Sequence, residues 1–135
     1  MAGERNLDTL LRTMAPELQD GAFVFCTVDT HQDIPAGLTP LMLFREREAI
    51  TLIVRREEAE RAGLPCRFAS RLITLSVLSA LDAVGFLAAV TTKLAAAGIS
   101  VNAVSAFHHD HLFVPEARGK EAVLLLHELS RSAAT

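Results

Sequence analysis

His108, His109, Asp110 and His111 form the densest set of metal-type ligands in the chain. Imidazoles and a carboxylate are donors that zinc or iron accepts. Four neighbours at a hairpin tip point in different directions, however, and no distant Glu or His is marked to complete a coordination shell. Solvated turn residues are the expected reading, and no metal site is assigned. A second constellation is the run Leu81-Asp82-Ala83-Val84-Gly85-Phe86-Leu87. Asp82 is a suitable helix N-cap, and Gly85, with no Cβ, lets a backbone or a ligand come close. A helix N-terminus carries unpaired N–H groups and about half a unit of positive charge, which suits a carboxylate. Ser76 and Ser79 stand nearby and could hydrogen-bond a ligand, but no base is placed to activate either one.

Cys26 lies in the apolar run 22–28 and reads as a small buried hydrophobe. Cys26 and Cys66 have neither the close spacing of a metal knuckle nor the density of a disulfide scaffold. His31 and His127 read as loop and helix-end residues. The chain shows no nucleophile elbow and no glycine-rich phosphate loop with its lysine. Glu46, Glu48, Glu57, Glu58 and Glu60 alternate with arginines, as a solvated face does. The expectation is therefore no catalysis and no cofactor.

The elements that must position these residues follow from periodicity. Leu7, Leu10, Leu11 and Met14 make one helical stripe, which Pro16 ends. Residues 22–28 read as a buried strand. Residues 29–40 carry Asp33, Pro35, Gly37 and Pro40 and read as a loop, a candidate lid. Residues 41–46 and 50–55 read as a hairpin, and 57–62 as a short helix stopped by Gly63 and Pro65. In 71–78, Thr74 and Ser76 alternate with Ile73, Leu75 and Val77, the period of a strand with one buried face. From an N-cap at Asp82, the residues Leu87, Val90, Leu94 and Ala97 continue a helical stripe to Gly98. Segments 99–107 and 111–114 form a second hairpin, and Pro115 opens a last helix with Ala122, Leu125, Leu126, Leu129 and Ala133 inward. The second half thus reads β-α-β-β-α.

Composition bounds the rest. Half of the 135 residues are hydrophobic and 21% are charged, so the chain can bury a core and is not disordered. Thirteen Lys and Arg against sixteen Asp and Glu give a net charge of −3. With the basic residues scattered, no nucleic-acid footprint is expected. The longest uncharged apolar stretch, 83–92, is far short of the roughly 18 residues of a membrane span. Residues 1–20 mix acidic and basic side chains, unlike a secretory leader, so a cytoplasmic location is expected.

The turn 81–87, together with Ala97-Gly98-Ile99-Ser100-Val101-Asn102 entering the next strand, resembles the ACT domain. The runs "GAFVF", "LFREREAITLIV", "ITLSVLSALDAVGFLAAV" and "FHHDHLFVP" extend the resemblance over nearly the whole chain, to small stand-alone proteins with two ACT-like units. One departure is Ala83-Val84-Gly85, where a proline often precedes the glycine. The resemblance implies an α+β, ferredoxin-like fold with an antiparallel sheet and helices on one face. It also implies regulatory binding of a small metabolite, an amino acid, and assembly through sheets. The expected division is an N-terminal ACT-like subdomain at 1–65 and a C-terminal ACT domain at 66–135. The expected ligand site is Ser79, Asp82, Ala83, Val84, Gly85, Phe86 and Leu87 with Asn102 and Val104 from the neighbouring strand. A homodimer is expected, since unpaired strand edges carry no proline within their apolar segments. The alternatives are a ligand-free structural or dimerisation module and a metal-binding protein at the histidine hairpin.

Overall fold

The computed structural model of the chain describes residues 3–134. In chain order the elements are α1 (Leu7–Thr13), β1 (Pro16–Leu18), β2 (Phe23–Val28), β3 (Met42–Arg45), β4 (Ile50–Arg55), α2 (Arg56–Ala62), β5 (Cys66–Leu75), α3 (Phe86–Ala96), β6 (Asn102–Ser105) and β7 (Asp110–Pro115). A 3-10 turn at Glu116–Arg118 leads into α4 (Gly119–Ala134). The chain splits into two compact units, an inner one of Gly21–Ser70 and a terminal one of Met1–Asp20 with Arg71–Thr135. This differs from a division in chain order at residue 65. Leu10 and Leu11 of α1, and Met14 at its C-cap, are buried in the same cluster as α3 and α4, so apolar burial assigns the N-terminal helix to the second half.

In the inner unit the strand order is β3-β4-β2-β5, and every register is antiparallel. Alternate residues Val24, Cys26 and Val28 of β2 and Ile50, Leu52 and Val54 of β4 share a buried cluster with Ala59 of α2. Period two on the strands and one small residue on the helix make that layer. Gly63, at φ +68°, ends α2 in the left-handed region. The loop 29–41 is anchored and not a free lid. Ile34 and Leu38 pack on the cluster, and the Thr39 amide donates to the Glu58 carboxylate at 2.5 Å.

The terminal unit has the order β1-β5-β7-β6. Ile73 and Leu75 of β5 and Leu112 and Val114 of β7 point to one cluster with Phe86, Val90 and Leu94 of α3 and Ala122 and Leu126 of α4. The helices therefore cover one face of this sheet. Taken from its own first strand, each unit orders its strands second, third, first, fourth, the ferredoxin-like arrangement in an α+β chain. In the inner unit the fourth strand is the 66–70 part of β5, paired with β2; in the terminal unit the first strand is the 71–75 part, paired with β1. The terminal unit's fourth strand is β1, paired through Pro16↔Leu75, Glu17↔Thr74 and Leu18↔Ile73. Periodicity overlooks β1, because three residues opening on a proline carry no pattern; proline is tolerated there as the first residue of a strand.

Three further boundaries differ from the sequence expectation. Strand β5 starts at Cys66 and stops at Leu75, after which the Ser76 amide bonds to the Ala15 carbonyl. Strand β6 covers only 102–105, and Ile99 is buried in the helical cluster instead. Helix α3 starts at Phe86, with Gly85 and not Asp82 as its N-cap.

Candidate functional site

The link from β5 to α3 is irregular and is held from the N-terminal side. The Glu4 amide donates to the Leu78 carbonyl at 2.8 Å, and the Ala80 amide donates to the Glu4 carbonyl at 2.9 Å. Gly3 lies so close that a Cβ there would meet the Ala80 nitrogen and the Ser79 carbonyl carbon at 2.6 Å. Arg5 clasps Asp82 with Nε to Oδ1 at 2.8 Å and Nη2 to Oδ2 at 2.9 Å. The guanidinium's hydrogen bond holds the Asp82 carboxyl below its ordinary range and raises Arg5 in turn. Asp82 is thus an exposed partner of Arg5, and the expectation that it caps the helix is corrected.

Gly85, at φ +92°, turns the chain into α3 without any side-chain cap. The Ala89 amide bonds back to the Gly85 carbonyl at 2.9 Å. The amides of the first turn, from Phe86 on, have no partner within the helix and supply the positive end of its dipole. Phe86 anchors this end in the core at 3% exposure.

Facing the turn is the start of β7. Asp110 is 7% exposed, and its carboxylate accepts the Ser105 hydroxyl at 2.6 Å and the Ser79 hydroxyl at 3.1 Å. Such charge-assisted bonds offset the cost of burying the group. Between these features lies a cavity of about 190 Å³. The loop lines it with Ser79, Ala80, Leu81 and Ala83, the helix with Gly85, Phe86, Leu87 and Ala88, and the hairpin with Ser105, Ala106 and Asp110. A buried carboxylate and an uncapped helix N-terminus thus border one small space.

Of the residues singled out from the sequence, Ser79, Ala83, Gly85, Phe86 and Leu87 line this cavity. Asp82 is turned to Arg5, and Val84 is 85% exposed. Asn102 and Val104 lie on β6, opposite Phe113 and His111. Sequence reasoning missed Ser105 and weighed Asp110 only as a metal-type ligand beside the histidines. Their one signal is position, as the pair that closes the β6–β7 ladder at the turn.

The histidines around Asp110 go to separate partners. The His109 Nδ1 donates to the Val77 carbonyl at 3.2 Å, and the His111 Nδ1 meets the Thr74 hydroxyl at 3.2 Å. Burial, then the neighbouring His109, push the His111 pKa down, and Asp110 opposes them. His108 stacks edgewise on the exposed Phe107. Among the described residues no group of three or more His, Cys, Asp or Glu is placed to hold a metal ion. No helix among them is long and apolar enough to cross a membrane.

Two family models match, each described as an ACT domain, one over residues 2–71 and one over residues 67–128. A comparison with curated proteins returns no match. Among solved structures, a Vibrio cholerae protein of unknown function, described as a possible transport protein, is 43% identical, with 92% of this chain and 95% of that chain covered and a TM-score of 0.83. A protein from Agrobacterium tumefaciens is 18% identical over 87% of this chain and 89% of that one, with a TM-score of 0.74. The ligand-free regulatory subunit of aspartate kinase from Thermus thermophilus is 12% identical over 86% and 97%, with a TM-score of 0.59. The last two likenesses concern the fold alone.

Proposed function

The chain belongs to the ACT-domain family, and from that premise we propose that it is a regulatory or sensing protein that binds a free amino acid at the turn before α3. ACT domains are regulatory binding modules, so the reading is recognition without catalysis. The observation that carries it is the pairing of Asp110 with the open N-terminus of α3 across one cavity. An α-amino acid has an ammonium group next to a carboxylate. The carboxylate suits the first-turn amides, and the ammonium suits the Asp110 carboxylate, whose oxygens have acceptor capacity left beyond the two serine hydroxyls. A volume of about 190 Å³ lies below the roughly 300–1,000 Å³ of sites for drug-sized ligands, which favours a small side chain. The proposed binding residues are Ser79, Ala83, Gly85, Phe86 and Leu87, joined by Ser105 and Asp110. Asp82, Val84, Asn102 and Val104 stay in the proposal as flanking positions.

The proposal extends to a homodimer in the cytoplasm. Strand β3 is terminal in its sheet order, and Leu41, Leu43 and Phe44 beside its free edge are exposed. Light scattering over a dilution series tests the dimer, and a monomer mass at tens of micromolar would remove it.

Thermal unfolding with each common amino acid in turn tests the site. At about 100 times the dissociation constant, a ligand of the folded state adds about 2.7 kcal/mol, a readily measured rise in melting temperature. Asp110→Asn should lose that rise relative to its own ligand-free melting point, and Asp82→Asn should keep it. Failure of every amino acid, or undiminished binding by Asp110→Asn, refutes the reading.

A further inference from the structure

The two cysteines are 40 positions apart in sequence, yet the antiparallel register of β2 with β5 sets Cys26 directly against Cys66. Directly opposed residues of antiparallel strands project from the same face, with Cα atoms about 4.5 or 5.5 Å apart according to the type of pair. Either value falls inside the roughly 4.4–6.8 Å that a disulfide spans. Burial, and then the proximity of Cys66, raise the pKa of Cys26.

The surroundings allow the small approach that a bond needs. Cys66 is the first residue of β5, just beyond Pro65, so it is tied to the ladder on one side only. Two residues further on, the ladder slips: the register shifts between Phe23 and Phe25, and Phe68 stands at φ +57°. A bulge of this kind loosens pairing locally. The thiols also differ in access, Cys66 being exposed and Cys26 only 3% exposed, and both border an open cavity of about 620 Å³. A small disulfide molecule can therefore reach Cys66 first.

We propose that Cys26 and Cys66 are a reversible redox modification site that closes to an intramolecular cross-strand disulfide by exchange with a glutathione-type disulfide. The Cys66 thiolate attacks one sulfur of the oxidant, forming a mixed disulfide and releasing one glutathione thiolate, which takes up a proton. The Cys26 thiolate then attacks the Cys66 sulfur, forming the cross-strand bond and releasing the second glutathione. The two protein thiols lose two hydrogens, and the oxidant is reduced to two thiols. Cys66 is the entry nucleophile because it is exposed, and Cys26 resolves because its burial shields it from the oxidant but not from Cys66. This site lies in the inner unit and is independent of the amino-acid reading.

The test is incubation of the folded, reduced full-length chain with glutathione disulfide, followed by intact mass and a thiol count after unfolding. The expected product is a monomer lighter by two hydrogens, with no titratable thiol, that dithiothreitol restores. Cys26→Ser should instead stop at the mixed disulfide, gaining one glutathionyl group at Cys66, and Cys66→Ser should gain none. Parent protein that holds a stable glutathionyl group at Cys66, or that links only between molecules, overturns the proposal, as does a parent whose thiols do not react. The parent measurement stands alone if either variant fails to fold.

Discussion

The β3–β4 and β6–β7 hairpins have the same frame and opposite chemistry. Met42 corresponds to Asn102, Arg45 to Ser105, Ile50 to Asp110 and Arg55 to Pro115, a constant interval of 60 residues. Even the turn bond repeats, from the Glu46 amide to the Ala49 carbonyl and from the Ala106 amide to the His109 carbonyl, each at 3.0 Å. What differs is the residue that starts the inner strand and the segment laid over it. In the inner unit Ile50 is apolar, and residues 29–41 send Ile34 and Leu38 down onto its cluster. In the terminal unit Asp110 is a carboxylate, and the covering segment brings Ser79 and the N-terminus of α3. The cavity beside Ile50, about 340 Å³, is bordered by Asp33 and Arg45 without any helix terminus. One backbone plan thus gives an apolar corner in one unit and a polar one in the other, set by the residue that starts the inner strand and by the segment laid over it.

Exchanging the deciding residues should break this symmetry unequally. Ile50→Asp puts a carboxylate at a 7% exposed position without the serine partners, and should cost about 3–5 kcal/mol. Asp110→Ile leaves the Ser79 hydroxyl buried and unpaired while Ser105 can turn to water, so about 1–3 kcal/mol is expected. Urea unfolding of the two variants measures both. If Asp110→Ile is the costlier, the carboxylate is a keystone of the fold and the difference between the corners is structural.

The parts of this plan with a local cause were legible in the sequence. Period two in 71–78, glycine stops at 63 and 98 and the short polar turns between apolar segments located most strands, α2, the end of α3 and both hairpins. The start of α3 was misread because Asp82 has the right side chain for a cap but is taken by Arg5, 77 positions away. Asp110 was hidden among three histidines, since burial comes from the covering loop and not from the hairpin itself. The facing of Cys26 and Cys66 is a property of register between distant strands, which spacing does not record. The attachment of Gly3 and Glu4 to 78–80 is equally non-local.

That attachment has no counterpart in the inner unit and gives the next test. Gly3→Ala cannot be accommodated against the backbone of Ser79 and Ala80, so residues 3–5 should lift from the loop and both Glu4 backbone bonds should be lost. At roughly 0.5–1.5 kcal/mol per hydrogen bond, a loss of about 1–3 kcal/mol is expected, with faster exchange of the Ala80 amide and unchanged exchange at Leu52. Equal acceleration at both amides would mean that the strap supports the whole chain and not the turn before α3 alone.

The smallest effect concerns the pair Thr51 and His111, which occupy matching places on β4 and β7. Only His111 titrates, and burial followed by His109 holds its pKa below the ordinary 6.5 against the opposing pull of Asp110. The folded state therefore binds this proton less readily than the unfolded chain. Its contribution to stability is fully present above pH 6.5 and declines as the pH falls through the depressed folded value. His111→Thr, which copies the inner hairpin, should remove that part of the acid sensitivity, so that parent and variant differ less in relative stability between pH 8 and 7 than between pH 6 and 5. Urea titrations across this range with proton NMR of the His111 ring check both halves of the argument. A ring that titrates at or above its ordinary value, or a variant whose stability follows the parent's at every pH, would show that the His111–Thr74 contact does not distinguish the two hairpins.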